Sequence, residues 1–152
     1  ARENLIKITK TSGVECISSI SAIFDLLEIK KPKTLALACT YYPDDWKDLW
    51  TSFVKASGYE VIASQSLVDQ GIRKKTLDEI DYPNSDEICE SINIISKNYP
   101  NIDAIIISGS GARTMAITDE LKKISNKLII AADTALFSII AKKLNINVPI
   151  KL

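Results

Sequence analysis

The sequence predicts an α/β fold in which helices cover both faces of a parallel sheet. Its 152 residues, 46% hydrophobic and 25% charged, suit one globular domain over 1–152. Four short runs have the length and composition of strands, at 34–39, 59–63, 104–107 and 128–132. Segments with helical spacing alternate with these runs, which is the pattern that right-handed crossovers produce in a parallel sheet.

The first two helices are predicted from apolar spacing and from end signals. Residues 4–10 have mild helical character, and Gly13 is a natural C-cap. Ser18, Ser19 or Ser21 offers an N-cap for the second helix, which extends to about Glu28.

The third predicted helix has a wide apolar face. Asp44 or Asp45 is expected to cap it and Gly58 to end it. The apolar residues of this face recur at helical spacing: Trp46, Leu49, Trp50 and Phe53.

The fourth predicted helix begins at Asn84 or Ser85. Its apolar stripe contains Ile88, Ile92 and Ile95, and Cys89 beside the stripe is expected to be an inert core thiol. The long segment 65–83 before it is predicted to be a lid, a binding loop or a short helix.

The third strand leads into a turn of small residues. Residues 108–111 (SGSG) let the chain turn tightly and let a ligand approach the backbone. A helix is predicted to begin at Ala112, with Met115, Ile117 and Leu121 near one face, so its free N–H groups would face a crevice. A last helix is predicted over 134–144.

We predict a flavodoxin-like three-layer α/β/α architecture with strand order 2-1-3-4. In that topology the carboxyl ends of the strands bring 39–41, 108–111 and 133–134 to one edge of the sheet, where ligands bind in such folds. Ser18 and Ser19 precede the first packed helix and are expected to join them.

Composition excludes several classes of function. The formal net charge is zero, so no bulk field attracts nucleic acid or an anionic membrane. The chain has no histidine, which excludes histidine-dependent triads and histidine-ligated metals within it. The three cysteines form no CxxC pair. We expect a cytoplasmic protein without a metal and without a membrane span.

Three segments together carry a resemblance to a known family. Residues 13–22 (GVECISSISA) resemble a stretch of glycine, valine and proline followed by two hydroxyl residues that open a helix. Residues 35–41 (LALACTY) are similar to a strand ending in Thr-Pro-Tyr. Residues 106–114 (IISGSGART) resemble a strand ending in Ser-Cys-Thr, followed by Arg-Thr. The ordered set resembles the aspartate/glutamate racemase superfamily, in its maleate cis-trans isomerase and arylmalonate decarboxylase branch.

The resemblance implies one lobe of a two-lobed racemase-type enzyme. It covers most of the chain but only the second, C-terminal lobe, so the chain is expected to be a fragment whose first lobe is absent. Enzymes of this kind use no metal and no organic cofactor. Two cysteines, one from each lobe, face a small carboxylate, while hydroxyl and N–H groups hold its oxygens and the enediolate that forms.

The sequence departs from the family pattern where the chemistry is performed. When Arg113 and Thr114 are matched, the second-lobe cysteine falls on Gly109. Thr40 and Glu15 stand where the family has prolines. The resemblance therefore implies a fold and a carboxylate cradle more than it implies bond-breaking chemistry.

Tyr41 is the candidate catalytic residue, as a donor to a carboxylate or enediolate; the alternative is a packed ring with its hydroxyl in water. Ser108 and Ser110, with the N–H groups of Gly109 and Gly111, are candidates for holding a carboxylate or for a plain helix cap.

Ser18, Ser19 and Thr40 are further substrate-binding candidates, and the two serines are equally suited to be N-caps. Cys16 and Cys39 are either displaced nucleophiles or small buried thiols.

Two charged residues complete the candidates. Asp133 is either an acid or base at a strand end or a helix cap. Arg113 pairs either with a substrate carboxylate or with a surface acid.

The leading hypothesis is a lobe of a cofactor-independent isomerase, decarboxylase or racemase acting on a small mono- or dicarboxylate, inactive alone. The alternative is a non-catalytic carboxylate-binding module. A receiver or nucleotide-binding domain ranks below both, because the sequence lacks GxGxxG and Walker patterns. The expected partners are a small carboxylate and either the first lobe or a second copy of the chain.

Overall fold

The computed structural model describes residues 2–38, 40–76 and 82–147. Its α-helices are α1 Arg2–Ser12, α2 Ser19–Lys30, α3 Asp44–Ala56, α4 Ser85–Asn98, α5 Thr118–Ile124 and α6 Ala132–Lys143. Its strands are β1 Thr34–Ala38, β2 Glu60–Gln65, β3 Ala104–Ile107 and β4 Leu128–Ala131. A short 3₁₀ helix, Met115–Ile117, precedes α5.

The four strands form one parallel sheet in the order β2-β1-β3-β4, which confirms the predicted topology. Ala38 at the end of β1 pairs with Ile107 at the end of β3, and Ile107 pairs with Ala131 at the end of β4. The carboxyl ends of these three strands are therefore level, and the loops that follow them emerge side by side.

Helices cover the sheet on both faces, which confirms the three-layer fold. One core lies between the sheet and α2, α3 and α6, and the other lies between the sheet and α4 and α5. All four residues of β3 are fully buried. Burying an isoleucine stabilises the fold by roughly 1.5–3 kcal/mol, so β3 is the centre of the hydrophobic core.

Side-chain caps start two of the packed helices. Ser18 is the N-cap of α2 and Asn84 is the N-cap of α4; in each case the side chain accepts the N3 backbone N–H. The predicted cap at Asp44 or Asp45 of α3 is wrong. Pro43 is the N-cap residue, and both aspartates lie in the first turn, where their charge favours the helix dipole.

The predicted helix start at Ala112 is also wrong. The chain continues in a turn to Thr114 before the 3₁₀ helix, and α5 begins only at Thr118. The Asp133 carboxylate accepts the backbone N–H groups of Thr114 (2.6 Å) and Met115 (3.2 Å), so this side chain fixes the end of the turn. Met115 is consequently 42% exposed and does not share a buried face with Ile117.

The predicted apolar face of α3 is only half buried. Trp50 and Val54 face the core, whereas Trp46 and Leu49 are 60% and 64% exposed. The expectation that the chain self-associates through exposed apolar surface stays a prediction.

The segment 65–83 is anchored where the structure describes it. Asp69 accepts from Ser66 and from Lys47 (2.6 Å), and the buried Leu67 donates its N–H to Thr40. No helix lies in its described parts, 65–76 and 82–83. Residues 77–81 lie outside the described residues, and the segment's functional role stays a prediction.

The structure tests the prediction that Cys89 is an inert core thiol. Cys89 packs half-buried beside the core on α4, and burial raises the pKa of its thiol, consistent with an unreactive group. Cys39 lies outside the described residues.

Among the described helices, none has the length and apolar character required to cross a membrane.

We predict that Glu87→Gln destabilises the protein. Glu87 receives two hydrogen bonds from Arg73 (2.5 and 2.6 Å) and one from the Asn84 N–H. Arg73 is the main reason that the pKa of Glu87 is lowered. Losing one partner of such a pair costs about 1–3 kcal/mol of unfolding free energy.

Denaturant unfolding at several pH values measures this cost. Because the folded-state pKa lies below the unfolded one, the stabilisation is present above pH ~4.3 and is lost as the pH falls through the folded value. Glu90→Gln, at an exposed position of the same helix, is the control. Equal stability of Glu87→Gln and wild type at pH 7 would contradict the prediction.

Candidate functional site

A pocket of about 180 Å³ opens at the carboxyl ends of the strands, where the fold predicts a ligand site. We call it the edge pocket. Its walls come from the start of α2, the loop after β1, α3, the turn after β3 and the start of α6: Ser19, Ile20, Ile23, Tyr41, Tyr42, Trp50, Ser108, Gly109, Ser110 and Ala132.

Five of the eight predicted site residues line the edge pocket. They come from three separate segments: Ser19, Tyr41, Ser108, Gly109 and Ser110. The shared topology brings them together, since the segments lie far apart in the sequence.

The other three predicted site residues do not line the edge pocket. Ser18 is occupied in the N-cap of α2, where its side chain bonds to Ser21. Thr40 is buried, and its carbonyl accepts the Leu67 N–H. Gly111 lies behind Tyr41 and donates its N–H to the phenol oxygen.

Tyr41 is held in place from three sides. Its phenol oxygen accepts the Gly111 N–H at 3.1 Å. Its ring meets the ring of Tyr42 edge-on at 5.4 Å and that of Tyr82 at 5.8 Å. Burial raises the pKa of Tyr41, although the Gly111 hydrogen bond acts in the opposite direction. The phenol is therefore neutral at pH 7, and its own proton can be donated to a ligand.

The turn after β3 must be glycine-rich for this arrangement to exist. Gly109 has φ of +91°, and a Cβ there would overlap the Tyr41 hydroxyl and lie 2.7 Å from Cζ. A Cβ on Gly111 would overlap the ring of Tyr82. The two glycines thus provide the space in which both tyrosine rings sit.

Tyr82 is positioned by the ion pair at the start of α4. Arg73 donates to the Tyr82 carbonyl at 3.4 Å and also binds Glu87. The ring of Tyr82 then packs over Gly111 and against Tyr41. A half-buried ion pair thus holds the outer side of the site.

The edge pocket is rich in hydrogen-bond donors and has no charged side chain in its wall. Ser19 and Ala132 place the first turns of α2 and α6 at the pocket, and the first N–H groups of a helix have no partner within it. No described residue accepts the N–H of Gly109 or Ser110. Two positive helix ends and these N–H groups favour an anion.

Ser108 has an unsatisfied hydroxyl. The residue is 1% exposed, and among the described residues no partner bonds to its Oγ. Leaving a buried polar group unpaired costs about 1–3 kcal/mol. An orphaned hydroxyl in a pocket wall indicates that the partner is a ligand or an ordered water.

The remaining candidates lie away from the edge pocket. Cys16 lines a separate groove beside α1. Arg113 is exposed and forms no ion pair within the described part of the chain. The prediction that Asp133 caps the helix after β4 is wrong, because Ala131 is the N-cap residue of α6 and no side chain caps that helix. The Asp133 carboxylate instead holds the end of the turn after β3: besides the two N–H groups there, it accepts the Thr114 hydroxyl at 2.5 Å, and it also accepts the Thr134 N–H at 2.8 Å.

Sequence reasoning missed half of the pocket wall. Ile20, Ile23 and Trp50 have the helical spacing of core residues, and nothing in the sequence marks Ala132 as a pocket residue. Tyr42 is adjacent to the predicted site residue Tyr41, and this adjacency is the one sequence signal that could have indicated it. Over 2–38, 40–76 and 82–147, no cluster of three or more metal-ligating acids or thiols occurs.

Comparison with known proteins identifies the family. A sequence model described as arylmalonate decarboxylase matches residues 2–148, almost the whole chain. This chain belongs to the arylmalonate decarboxylase family. The match confirms the arylmalonate decarboxylase branch that the sequence resembled. Among curated proteins, no significant match is found.

Solved structures share the fold at low sequence identity. An arylmalonate decarboxylase structure is 18% identical with a TM-score of 0.75, covering 91% of this chain and 58% of its own. The maleate isomerase Iso from Pseudomonas putida S16 is 17% identical with a TM-score of 0.76, covering 95% and 56%.

A more distant structure has the same fold. An aspartate racemase homologue from Pyrococcus horikoshii OT3 is 14% identical with a TM-score of 0.57, covering 87% of this chain and 57% of its own. The family member described here thus spans less than two thirds of the length of these proteins.

We predict that Gly109→Ala is costly because it displaces Tyr41. Gly58 has nearly the same φ, +92°, but a Cβ there meets nothing within 4 Å, so Gly58→Ala measures the backbone cost alone. We expect Gly109→Ala to lose about 1–3 kcal/mol more stability than Gly58→Ala, the range for overpacking a well-packed site.

A double-mutant cycle with Tyr41→Ala tests the cause. Removing the ring should recover most of the extra cost of Gly109→Ala, because the two residues are in contact. Denaturant unfolding measures the free energies of the two single variants and the double variant. If the costs of Gly109→Ala and Tyr41→Ala are strictly additive, the proposed clash with Tyr41 is contradicted.

Proposed function

We propose that this chain binds a small carboxylate in the edge pocket, as one lobe of a cofactor-independent decarboxylase or isomerase. The observation that carries the proposal is the set of hydrogen-bond donors in the pocket wall, which contains no carboxylate among its described residues. Tyr41, Ser108 and the N–H groups of Gly109 and Ser110 surround it, and no acid or base lies in the wall. A carboxylate offers acceptors alone, so it complements this wall.

The same donors suit an enediolate. When a malonate-type substrate loses CO₂, the electron pair of the broken C–C bond moves onto the remaining carboxylate and gives an enediolate dianion. Preorganised N–H and O–H donors stabilise such charge in a site that excludes water. The neutral phenol of Tyr41, already accepting the Gly111 N–H, is oriented to donate its proton as a hydrogen bond.

We propose that the proton that completes the reaction comes from outside the edge pocket, with Tyr41 acting only as a hydrogen-bond donor. Gly109, matched by the resemblance to the second-lobe cysteine, has no side chain that could transfer one. Its φ and the adjacent phenol also leave no room for a thiol. We therefore propose that a group from a first lobe or a partner protein supplies the proton.

The described residues of this pocket wall include no thiol, which also supports a second candidate, a carboxylate-binding module without catalysis. A turnover assay distinguishes the lobe of an enzyme from the binding module. Phenylmalonate should release no CO₂ with this chain alone, and should release it with the protein encoded by the whole reading frame. Binding without CO₂ release by that whole protein would favour the module.

We predict that Tyr41→Phe weakens malonate binding. The variant keeps the ring but loses the donor, and a hydrogen bond to a charged group contributes about 1.5–3 kcal/mol, or ~10- to 150-fold in affinity. Titration calorimetry measures the dissociation constants. Tyr59→Phe, on a tyrosine outside the edge pocket, is the control and should bind like wild type. Unchanged affinity in Tyr41→Phe would refute the donor role.

We also predict how binding depends on pH. Burial keeps the pKa of Tyr41 above its ordinary value of about 10, so the phenol keeps its proton through pH 9. Malonate affinity at constant ionic strength should be level between pH 7 and 9 and should fall only as the phenolate forms at higher pH. A fall centred near pH ~8.5, the ordinary pKa of a cysteine thiol, would instead indicate that a thiol faces the ligand.

A further inference from the structure

Trp50 is a second buried donor in the wall of the edge pocket. It lies on α3 and is only 8% exposed. Its indole stacks on Phe53 at 5.8 Å and meets Phe24 edge-on at 6.2 Å. These two rings fix the plane of the indole, so the direction of its N–H is set by packing.

The indole N–H of Trp50 has no hydrogen-bond partner among the described residues. An indole can only donate, so its missing partner is an acceptor. Ser108, from a different element, is in the same condition in the same pocket. Phenylalanine would pack against Phe24 and Phe53 without burying an unpaired donor. Packing therefore accounts for the aromatic ring of Trp50 but not for its N–H group.

We propose that Trp50 is a specificity-determining residue of the edge pocket, whose N–H binds a second acceptor group of the ligand. The proposal rests on the proposed function. The turn 108–110 and Tyr41 bind the first carboxylate, and the indole on the α3 wall binds the second. The two carboxylates are those of the malonate-type ligand that the proposed function already considers.

The hydrogen bond from the Trp50 N–H to the second carboxylate forms when the ligand binds. The indole nitrogen has almost no surface open to solvent, so the side chains around it adjust on binding, as interface side chains commonly do. A bound water between the N–H and the second carboxylate serves the same purpose.

Trp50→Phe tests the proposal with two matched ligands. Malonate carries two carboxylates; 3-methylbutanoate has the same branched shape with an isopropyl group in place of one carboxylate. We expect Trp50→Phe to weaken malonate about 10- to 150-fold, the loss of one hydrogen bond to a charged group, and to change 3-methylbutanoate less than twofold. Trp46→Phe, at an exposed position of the same helix, should leave both affinities unchanged.

The outcomes of the calorimetry are distinct. Equal malonate affinity in Trp50→Phe and wild type overturns the role of Trp50, and an equal loss for both ligands overturns its selectivity. If wild type binds no malonate, the proposed function fails and this inference fails with it. If Tyr41→Phe weakens binding while Trp50→Phe does not, the inference alone fails.

Fluorescence provides a test that does not depend on the stability of Trp50→Phe. The chain has two tryptophans, so Trp46→Phe leaves Trp50 as the only one. Malonate should change the emission of this variant with the dissociation constant that calorimetry gives. Saturation with malonate, shown by calorimetry, without any change in emission would overturn the contact.

Discussion

The hydrogen bond from the Gly111 N–H to the Tyr41 phenol is the interaction on which the site depends. It exists because Gly109 and Gly111 have no Cβ: the phenol occupies the space beside one and the Tyr82 ring covers the other. Any side chain at either position would displace a ring. The bond occupies the phenol oxygen as an acceptor and leaves its proton for a ligand. A backbone constraint therefore sets the chemical character of the pocket.

The anion site that we propose has no charged side chain among the described residues of its wall. Neutral donors and helix ends are oriented before the ligand arrives and do not need to be desolvated as ions. The starts of α2 and α6 provide this field from opposite ends of the chain.

The charged residues near the edge pocket do not line it but hold the segments that form its wall. Asp133 fixes the end of the turn after β3 through Thr114 and Met115. Glu87 and Arg73 fix the segment that carries Tyr82. Membership of the arylmalonate decarboxylase family and the absent side chain at Gly109 agree with a lobe that holds its ligand while another group transfers the proton.

The sequence alone determined the layers, the strand order and five residues of the pocket wall. Strand runs such as 104–107 and stripes such as Ile88, Ile92 and Ile95 are local signals of burial, and parallel topology requires their carboxyl ends to meet. Only the tertiary structure decided where the helix after β3 begins, because the Asp133 carboxylate that fixes this turn comes from a segment distant in the sequence. It also decided that Trp50, and not Trp46 or Leu49, faces inward, since helical spacing defines a stripe but not which part of it the sheet covers.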